Sequence, residues 1–235
     1  MIWQKDKLRP SQPYFVLDTK DFRQEVYLRQ GISHFYTFYV DTPGTIQVVP
    51  DGCIDMSFEY VDGQIQGYVC GTVLSIQEYE WETCRDVFAV RFMPGMQPAM
   101  IHMNMRELVG KKIPLELALT NSSLLDLLEN ETDFFQRIRI FLQEFTKEEN
   151  KKERPYGKKE LLMAVKQMVY ESDGKIRISE LQDQTGYSER YINKVFLEEM
   201  GFSPKVFCKI IQFQRALEFL NYGAPDNMTD AAVYL

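Results

Sequence analysis

The chain is poor in the residues from which metal and redox sites are built. Its 235 residues include 4 cysteines and 2 histidines. Cys53, Cys70, Cys84 and Cys208 are far apart and form no CxxC pair and no Cys/His pair at a metal-binding interval. A zinc site is therefore not expected, and we predict that the protein uses no metal and no cofactor.

Long apolar runs are also missing. No stretch is long enough to span a bilayer, and the charged start MIWQKDKLRP lacks the pattern of a secretory signal peptide. We therefore expect no membrane partner, a cytoplasmic location and reduced thiols. Nor does the sequence contain a nucleophile elbow, a phosphate loop or a zinc-protease motif, so we expect that the protein is not an enzyme.

Composition and charge divide what is present into two parts. With 45% hydrophobic and 13% aromatic residues the chain can bury a substantial core, most simply as two domains, 1–150 and 151–235. The first part holds 14 Lys and Arg against 22 Asp and Glu, and the second holds 13 against 12. Because only the second part escapes repulsion by a polyanion, DNA binding would fall to it.

The first 92 residues have the pattern of an antiparallel β domain. Short aromatic or β-branched runs alternate with Gly, Pro and Asp turns such as Pro50-Asp51-Gly52. The candidate strands are 34–40, 45–49, 53–60, 65–69, 75–81 and 87–92. Their spacing predicts an α+β chain whose N-terminal part is a β-barrel or sandwich with packed helices.

Helical patterns begin after Pro94-Gly95, at 105–109, 123–128 and 134–145. The last of these is apolar over more than half its circumference, which fits either core packing alone or contact with a second subunit as well. A homodimer through helix 134–145 is therefore one expectation. The charged run 147–154 that follows is interpreted as a linker.

The segment 176–207 reads IRISELQDQTGYSERYINKVFLEEMGFSPKVF and has the pattern of a helix-turn-helix. Ile178, Leu181 and Thr185 can line one side of a short helix. Gly186 suits a turn that needs a positive φ, and Ser188 is a good N-cap for the next helix. The sequence therefore predicts two helices joined by a tight turn.

The second helix of this unit divides into a buried and an exposed face. Ile192, Val195, Phe196 and Met200 fall at helical spacing and should bury. The opposite face then carries Arg190, Asn193, Lys194 and Leu197. We interpret this exposed face of helix 188–200 as a surface that reads the major groove of double-stranded DNA.

The segment GYSERYINKVFLEEMGFSPKVF resembles the first helix-turn-helix of the AraC-type transcriptional regulators. Ser203 and Pro204 resemble the start of that family's long linker helix. Gln182 and Gln212 depart from it, since they stand where a small residue and an Arg are usual. The family carries two such units, and 229–235 resembles only the opening helix of the second. We expect this truncated form to bind DNA weakly and with little specificity.

Physical chemistry and the resemblance assign the same roles to three side chains. Arg190 can donate to guanine O6 and N7, Asn193 can pair with adenine, and Lys194 can reach guanine or phosphate. The candidates for contacts to the DNA backbone are Ser188, Tyr191, Ser203 and Lys205. Purely structural roles remain open: the two serines can cap helices, the tyrosine can pack, and the Lys194 side chain can pair with Glu198.

Two further segments, VVPDGCIDMSFEY (48–60) and VRFMPGM (90–96), resemble a cupin-like sensor domain attached to some AraC-type proteins. The resemblance covers roughly positions 10–120 and implies a β-barrel that binds an effector or a partner. A metal-dependent cupin enzyme needs several converging His and carboxylate ligands. His34 and His102 cannot supply them, and we expect a core-edge and a helix-surface position for them.

Three acidic residues, Asp51, Asp55 and Glu59, lie in the first of these segments. Acid–base chemistry is one interpretation, although a turn and solvated or hydrogen-bonded carboxylates explain them as well. If the side that carries Asp55 faces the barrel interior, that carboxylate is a candidate ligand anchor. The candidate ligand-binding residues are then Tyr36, Phe38, Asp55, Phe58, Tyr68 and Trp81.

Together these patterns predict an effector- or partner-responsive transcription regulator. The alternative is a small-molecule-binding or enzymatic cupin-like protein whose helical part does not read DNA. A third interpretation is a protein-interaction module that uses helix 134–145.

Overall fold

A computed structural model of the chain describes residues 8–14, 19–81, 85–119, 123–151 and 157–222. Antiparallel strands occupy the N-terminal half and helices the remainder, which confirms the predicted α+β class. The C-terminal segment 229–235, expected to begin a second helix-turn-helix, lies outside the described residues.

The strands form two sheets, one of six strands and one of two. In chain order they are β1 (Lys20–Arg29), β2 (Ile32–Val40), β3 (Gly44–Val48), β4 (Asp55–Val61), β5 (Gln64–Cys70), β6 (Gln77–Trp81), β7 (Arg85–Phe92) and β8 (Lys112–Pro114). The large sheet has the order β1-β2-β7-β4-β5-β8, and β3 pairs with β6 to form the small sheet. The predicted barrel is therefore made of two facing sheets.

All six predicted strands are present, with ends shifted by a few residues. The two outer strands of the large sheet, β1 and β8, are not among the strands predicted from the sequence. Half of the ten residues in β1 are charged and most are exposed, so this strand shows no apolar alternation. The predicted strand 53–60 corresponds to β4, which begins at Asp55 instead of residue 53. The reason is a turn in which Asp51 accepts a hydrogen bond from the Cys53 amide at 2.9 Å.

Both faces of the large sheet are buried at its central strands, each against a different layer. Along β7, Phe88 and Val90 belong to the core under the helices, whereas Val87 and Ala89 belong to the core under the small sheet. This alternation follows the two-residue period of a strand. The sheet therefore separates a large aromatic core from a smaller and more polar space.

The helices described from Met105 onward are α1 (Met105–Leu108), α2 (Leu115–Ala118), α3 (Ser123–Leu128), α4 (Phe134–Glu149), α5 (Lys158–Glu171), α6 (Ile178–Thr185), α7 (Glu189–Met200) and α8 (Pro204–Tyr222). Phe141 and Phe145 of α4 are fully buried against the large sheet. The first residues of the predicted linker 147–154 belong to α4, where Lys147 pairs with Glu144 at 2.5 Å. Residues 152–154 of that run lie outside the described residues.

The helical half, α5 to α8, packs directly on the sheet half, which comprises the strands and α1 to α4. Lys166 Nζ donates to the Gly95 carbonyl and Tyr170 Oη to the Pro94 carbonyl, each at 2.7 Å. Gln214 of α8 donates to the Pro50 carbonyl at 2.8 Å. Buried side chains on both sides of the predicted boundary near residue 150 belong to one hydrophobic cluster. None of the described helices is both long and apolar enough to cross a membrane.

Candidate functional site

The helix-turn-helix has the local geometry that its sequence predicts. Helix α6 ends at Gly186, whose φ of 73° places it in the left-handed region. Helix α7 begins after Ser188, whose side chain accepts a hydrogen bond from the Tyr191 amide at 3.3 Å. Leu181 is fully buried between the two helices and the rest of the helical half. The pair is thus fixed by a glycine turn, a serine cap and an aliphatic contact.

The inward face of α7 anchors the helix to its surroundings. The four residues predicted to bury, Ile192, Val195, Phe196 and Met200, are at most 1% exposed. The Phe196 ring lies 6.2 Å from the ring of Phe207 in α8. Because this face is packed along the whole length of α7, the outward face has a fixed orientation.

The outward face carries the three candidate base-reading residues. Arg190 and Lys194 are exposed, and Leu197 between them and the helix end is 49% exposed. Asn193 is partly exposed and donates to the Glu189 carbonyl at 3.0 Å within the same helix. Lys194 Nζ lies 3.8 Å from Glu198, a surface ion pair that contributes little stability and leaves the ammonium accessible.

The four candidate backbone-contacting residues fall into two groups. Ser188 and Tyr191 border the same concave surface as the base-reading residues. The Tyr191 ring also stacks on Tyr187, with ring centres 5.3 Å apart. Ser203 caps α8 by accepting from the Val206 amide at 3.2 Å, and Lys205 is exposed in the first turn of that helix. Neither of these two borders the surface around α7.

The sequence analysis missed one basic residue at this surface, Arg106 of α1. Its exposed side chain borders the same concave surface as Arg190 and Lys194, although it belongs to the sheet half. The approach is close, because a Cβ added to Gly201 at the end of α7 would lie 2.8 Å from the Arg106 Cα. No sequence signal links position 106 to α7, since only the packing of the two halves brings them together.

The two departures from the AraC pattern have structural roles. Gln182 is exposed, and its side chain accepts a hydrogen bond from the Glu189 amide at 3.1 Å, which adds a second cap to α7. Gln212 donates to the Gly174 carbonyl at 2.7 Å and so ties α8 to the turn before α6. Both glutamines therefore support the helix-turn-helix.

A second candidate site is a cavity of about 110 Å³ between the two sheets. Tyr36, Phe38, Asp55 and Trp81 line it, as the sequence analysis anticipated for a barrel interior. Phe58 does not, and its assignment to this interior was wrong. Its ring packs on Phe88 and Phe141 in the opposite core, because neighbouring residues of a strand point to opposite faces.

Tyr68 does not line the cavity either. Its hydroxyl donates to Gln66 at 2.9 Å, and the Lys112 ammonium lies 4.1 Å above its ring. Tyr68 lies on the same side of β5 as Cys70, two residues before it. Cys70 lines the cavity and Tyr68 does not. The interpretation of Tyr68 as a ligand contact is therefore corrected to a neighbour of the cavity wall.

Asp55 belongs to a buried ionic network that centres on Arg91. The guanidinium donates to both carboxylate oxygens of Asp55, at 2.8 and 2.5 Å, and lies 3.5 Å from Asp51. Tyr36 Oη also donates to Asp55, at 2.7 Å. Burial raises the pKa of Asp51, against the opposing effect of Arg91. Burial alone would lower the pKa of Arg91, but the two carboxylates outweigh it and raise that pKa.

Glu59 forms a second network at the other end of the cavity. Its side chain is fully buried and accepts from Arg85 at 2.7 Å and from Lys112 at 2.6 Å. Both cations also lie near the Trp81 ring, at 4.9 and 5.0 Å from its centre. Every carboxylate of the three acidic residues singled out from the sequence thus has a cationic partner, which supports a structural role.

The two histidines lie apart. His34 is buried in β2, and its Nδ1 lies 2.9 Å from the hydroxyl of Ser33. Burial, aided by Arg91, lowers the pKa of His34 to about 3, so the ring is neutral near pH 7. His102 is exposed in the loop before α1, not on a helix. Within the described ranges, no group of His, Cys, Asp and Glu side chains could hold a metal ion.

The outward side of α4 remains partly apolar. Phe135 is 56% exposed and borders a shallow groove with Leu142, Arg139 and Lys147. The inward stripe of Phe134, Ile138, Phe141 and Phe145 is buried in the core. Helix α4 therefore has the two kinds of face that the sequence predicts.

Comparisons with known proteins give a family match within the sheet half and a structural similarity over most of the chain. Residues 25–114 match the model of a family described as a domain of unknown function (DUF6597). No curated protein sequence matches the chain. The chain is similar in structure to ToxT from Vibrio cholerae O395, with 10% identical residues, 88% of each chain covered and a TM-score of 0.46.

Proposed function

We propose that this protein is a DNA-binding transcription regulator of the AraC type, that it responds to a small effector held between its sheets, and that it is not an enzyme. The observation that carries the proposal is the outward face of α7. Arg190, Asn193 and Lys194 project from one helix whose other face is buried in the core that it shares with α6 and α8. A rigid helix with an amide and two cations on one face suits the major groove.

The cavity is connected to the helical half through two turns. Two residues of its wall connect to these turns: Asp51 belongs to the turn Pro50–Gly52, and Arg91 lies three residues before the turn Pro94–Gly95. Both turns contact the helical half. A Cβ added to Gly52 would lie 3.4 Å from Ile210, and one added to Gly95 would lie 3.3 Å from Met200 at the end of α7. An occupant that favours one arrangement of these turns would shift the population competent to bind DNA.

A homodimer through the outward side of α4 completes the proposal. The exposed Phe135 and the neighbouring Leu142 provide an apolar strip, and Arg139 and Lys147 border it. Two copies would present two reading helices to one duplex. A strictly monomeric protein at high concentration, measured by light scattering, would remove this part of the proposal without affecting the rest.

The test of DNA binding compares two matched arginine substitutions. Arg190→Ala removes a candidate base contact, whereas Arg29→Ala removes an exposed arginine on the outer strand β1. Because one reading helix makes few base contacts, we expect selection from a pool of random duplexes to enrich a short, weakly bound motif for the unchanged protein. For that motif, Arg190→Ala should weaken binding about 5- to 150-fold and relax the preference at one base pair, since a bidentate base contact contributes about 1–3 kcal/mol.

Arg29→Ala should bind the same motif as tightly as the unchanged protein. If no motif is enriched and both variants bind random duplexes equally, the regulator proposal fails. The protein is then better described as a ligand-binding module with a helical appendage. Fluorescence anisotropy at two salt concentrations separates the sequence-specific contribution from the electrostatic one.

A further inference from the structure

One of the residues that line the cavity carries a buried donor without an acceptor. Trp81 is 8% exposed and lines the cavity, and its indole Nε1 has no hydrogen-bond partner. It is one of two buried side-chain nitrogen or oxygen atoms in this situation among the described residues, and the other is the Gln136 carbonyl oxygen on α4. A buried donor without a partner is costly, and an acceptor brought by a ligand would remove that cost.

The buried charges around the cavity are already paired with one another, so a charged ligand would find no unpaired counter-ion. Three buried carboxylates face it, and each has a cation within 4 Å: Asp51 and Asp55 share Arg91, and Glu59 is held by Arg85 and Lys112. The remaining acidic residue of the lining, Glu80, is exposed. Three buried carboxylates are thus matched by three cations. An ion added to this space would bury a charge without a counter-ion, which is unfavourable.

The rest of the wall is mostly apolar, with a few hydroxyl and thiol groups, and the space is small. Phe38, Ile46 and Val87 form this side, and the edge of the Trp81 ring contacts Phe38 at 6.0 Å between ring centres. The volume is about 110 Å³. An apolar cavity of roughly 150 Å³ holds one benzene molecule, so this one suits a compact molecule of about six heavy atoms.

We propose that the cavity binds a small, neutral, mostly apolar molecule with one hydrogen-bond acceptor, such as a ketone, and that the acceptor bonds to Trp81 Nε1. This rests on the proposed effector role of the cavity and names the chemical class of the effector. It makes no use of DNA, so its test is separate from that of the reading helix.

The test uses two ligands of nearly the same shape, cyclopentanone and methylenecyclopentane, which differ in one atom: a carbonyl oxygen replaces a CH₂ group. Binding to the full chain is measured by ligand-observed NMR titration. Trp81→Phe removes the indole donor but keeps an aromatic ring at the site. Because each ligand is compared with itself across the two proteins, the different hydration of ketone and alkene cancels.

In the unchanged protein both ligands should bind, and Trp81→Phe should shift the ratio of their dissociation constants by about fivefold against the ketone. The matched control is Tyr68→Phe, which removes one hydroxyl next to the cavity wall and should leave the ratio unchanged. An unchanged ratio in Trp81→Phe overturns the assignment of Nε1. Binding of neither ligand to the folded protein overturns the ligand class.

A second measurement does not depend on the folding of a variant. The indole N–H of Trp81 gives its own signal in a ¹⁵N-edited spectrum. Cyclopentanone should move this signal downfield in a saturable way, as expected for a newly formed hydrogen bond, and methylenecyclopentane should not. Equal shifts with both ligands would show contact without a hydrogen bond and would overturn the proposal.

Discussion

Single buried side chains determine how this protein responds to pH. His34 is enclosed in β2 beside Arg91, and burial, aided by that cation, lowers its pKa to about 3. In the unfolded chain the ring titrates near its ordinary value of about 6.5. Between these two values the unfolded chain binds a proton that the folded chain does not, so acid favours unfolding.

The expected outcome is a stability that is fully present above about pH 6.5 and declines as the pH falls toward 3. The contribution of His34 to this slope should be at most about 1.4 kcal/mol per pH unit. His34→Gln should flatten the slope of the free energy of unfolding, measured by urea denaturation between pH 7 and pH 4. His102→Gln, at the exposed histidine, is the matched control and should retain the slope.

At the scale of elements, α1 and α7 form a joint surface although they come from different halves of the chain. Arg106 borders the concave surface beside Arg190 and Lys194, next to the end of α7 at Gly201. When a helix lies in the major groove, elements at its end meet the phosphates that border the groove. We therefore expect Arg106 to contact the DNA backbone and not a base.

Arg106→Gln should lower the affinity for every duplex by a similar factor and reduce the salt dependence of binding by about one unit of slope. Fluorescence anisotropy with a random 24-base-pair duplex at several salt concentrations measures both. Arg29→Gln, at an exposed arginine on the outer strand β1, should change neither. A gain in affinity for Arg106→Gln would instead show that α1 obstructs the duplex.

The same elements show what a sequence can predict. The helix-turn-helix and six strands are predictable because their apolar periods are local: Ile192 and Phe196 recur at helical spacing, and Phe88 and Val90 at strand spacing. The period also decides the face, and strict use of it would have moved Phe58 away from Asp55. Strand β1 escaped prediction because both of its faces are largely exposed, so it has no apolar period.

The candidate sites were less predictable because they depend on contacts between distant segments. Arg91 lies opposite Asp55 in the ladder of β7 and β4, a pairing that only the sheet order provides. In the sequence it is one arginine in an apolar strand. Lys112 reaches Glu59 from β8, a three-residue strand with no pattern of its own. The cationic partners in the cavity therefore depend on tertiary pairing, whereas local pattern identifies Asp55 and the aromatic residues of its wall.

At the scale of the whole molecule, the sheet half and the helical half should unfold together. Their buried side chains form one cluster, and Lys166, Tyr170 and Gln214 donate hydrogen bonds across the boundary. A shared core of this kind couples the stability of its parts. Hydrogen exchange monitored by mass spectrometry in increasing urea should therefore give β7 and α8 the same free energy of opening.

Tyr170→Phe tests this coupling at one bond. The substitution removes the hydroxyl that donates to the Pro94 carbonyl at 2.7 Å and leaves that buried carbonyl without its partner, at a cost of about 1–3 kcal/mol. If the halves form one cooperative unit, the free energy of opening should fall equally in β7 and α8. Tyr27→Phe, which removes a hydroxyl exposed on β1, should change neither value. Loss of protection in α8 alone would mean that the helical half opens while the sheets stay folded, and an effector in the cavity would then lack a rigid route to α7.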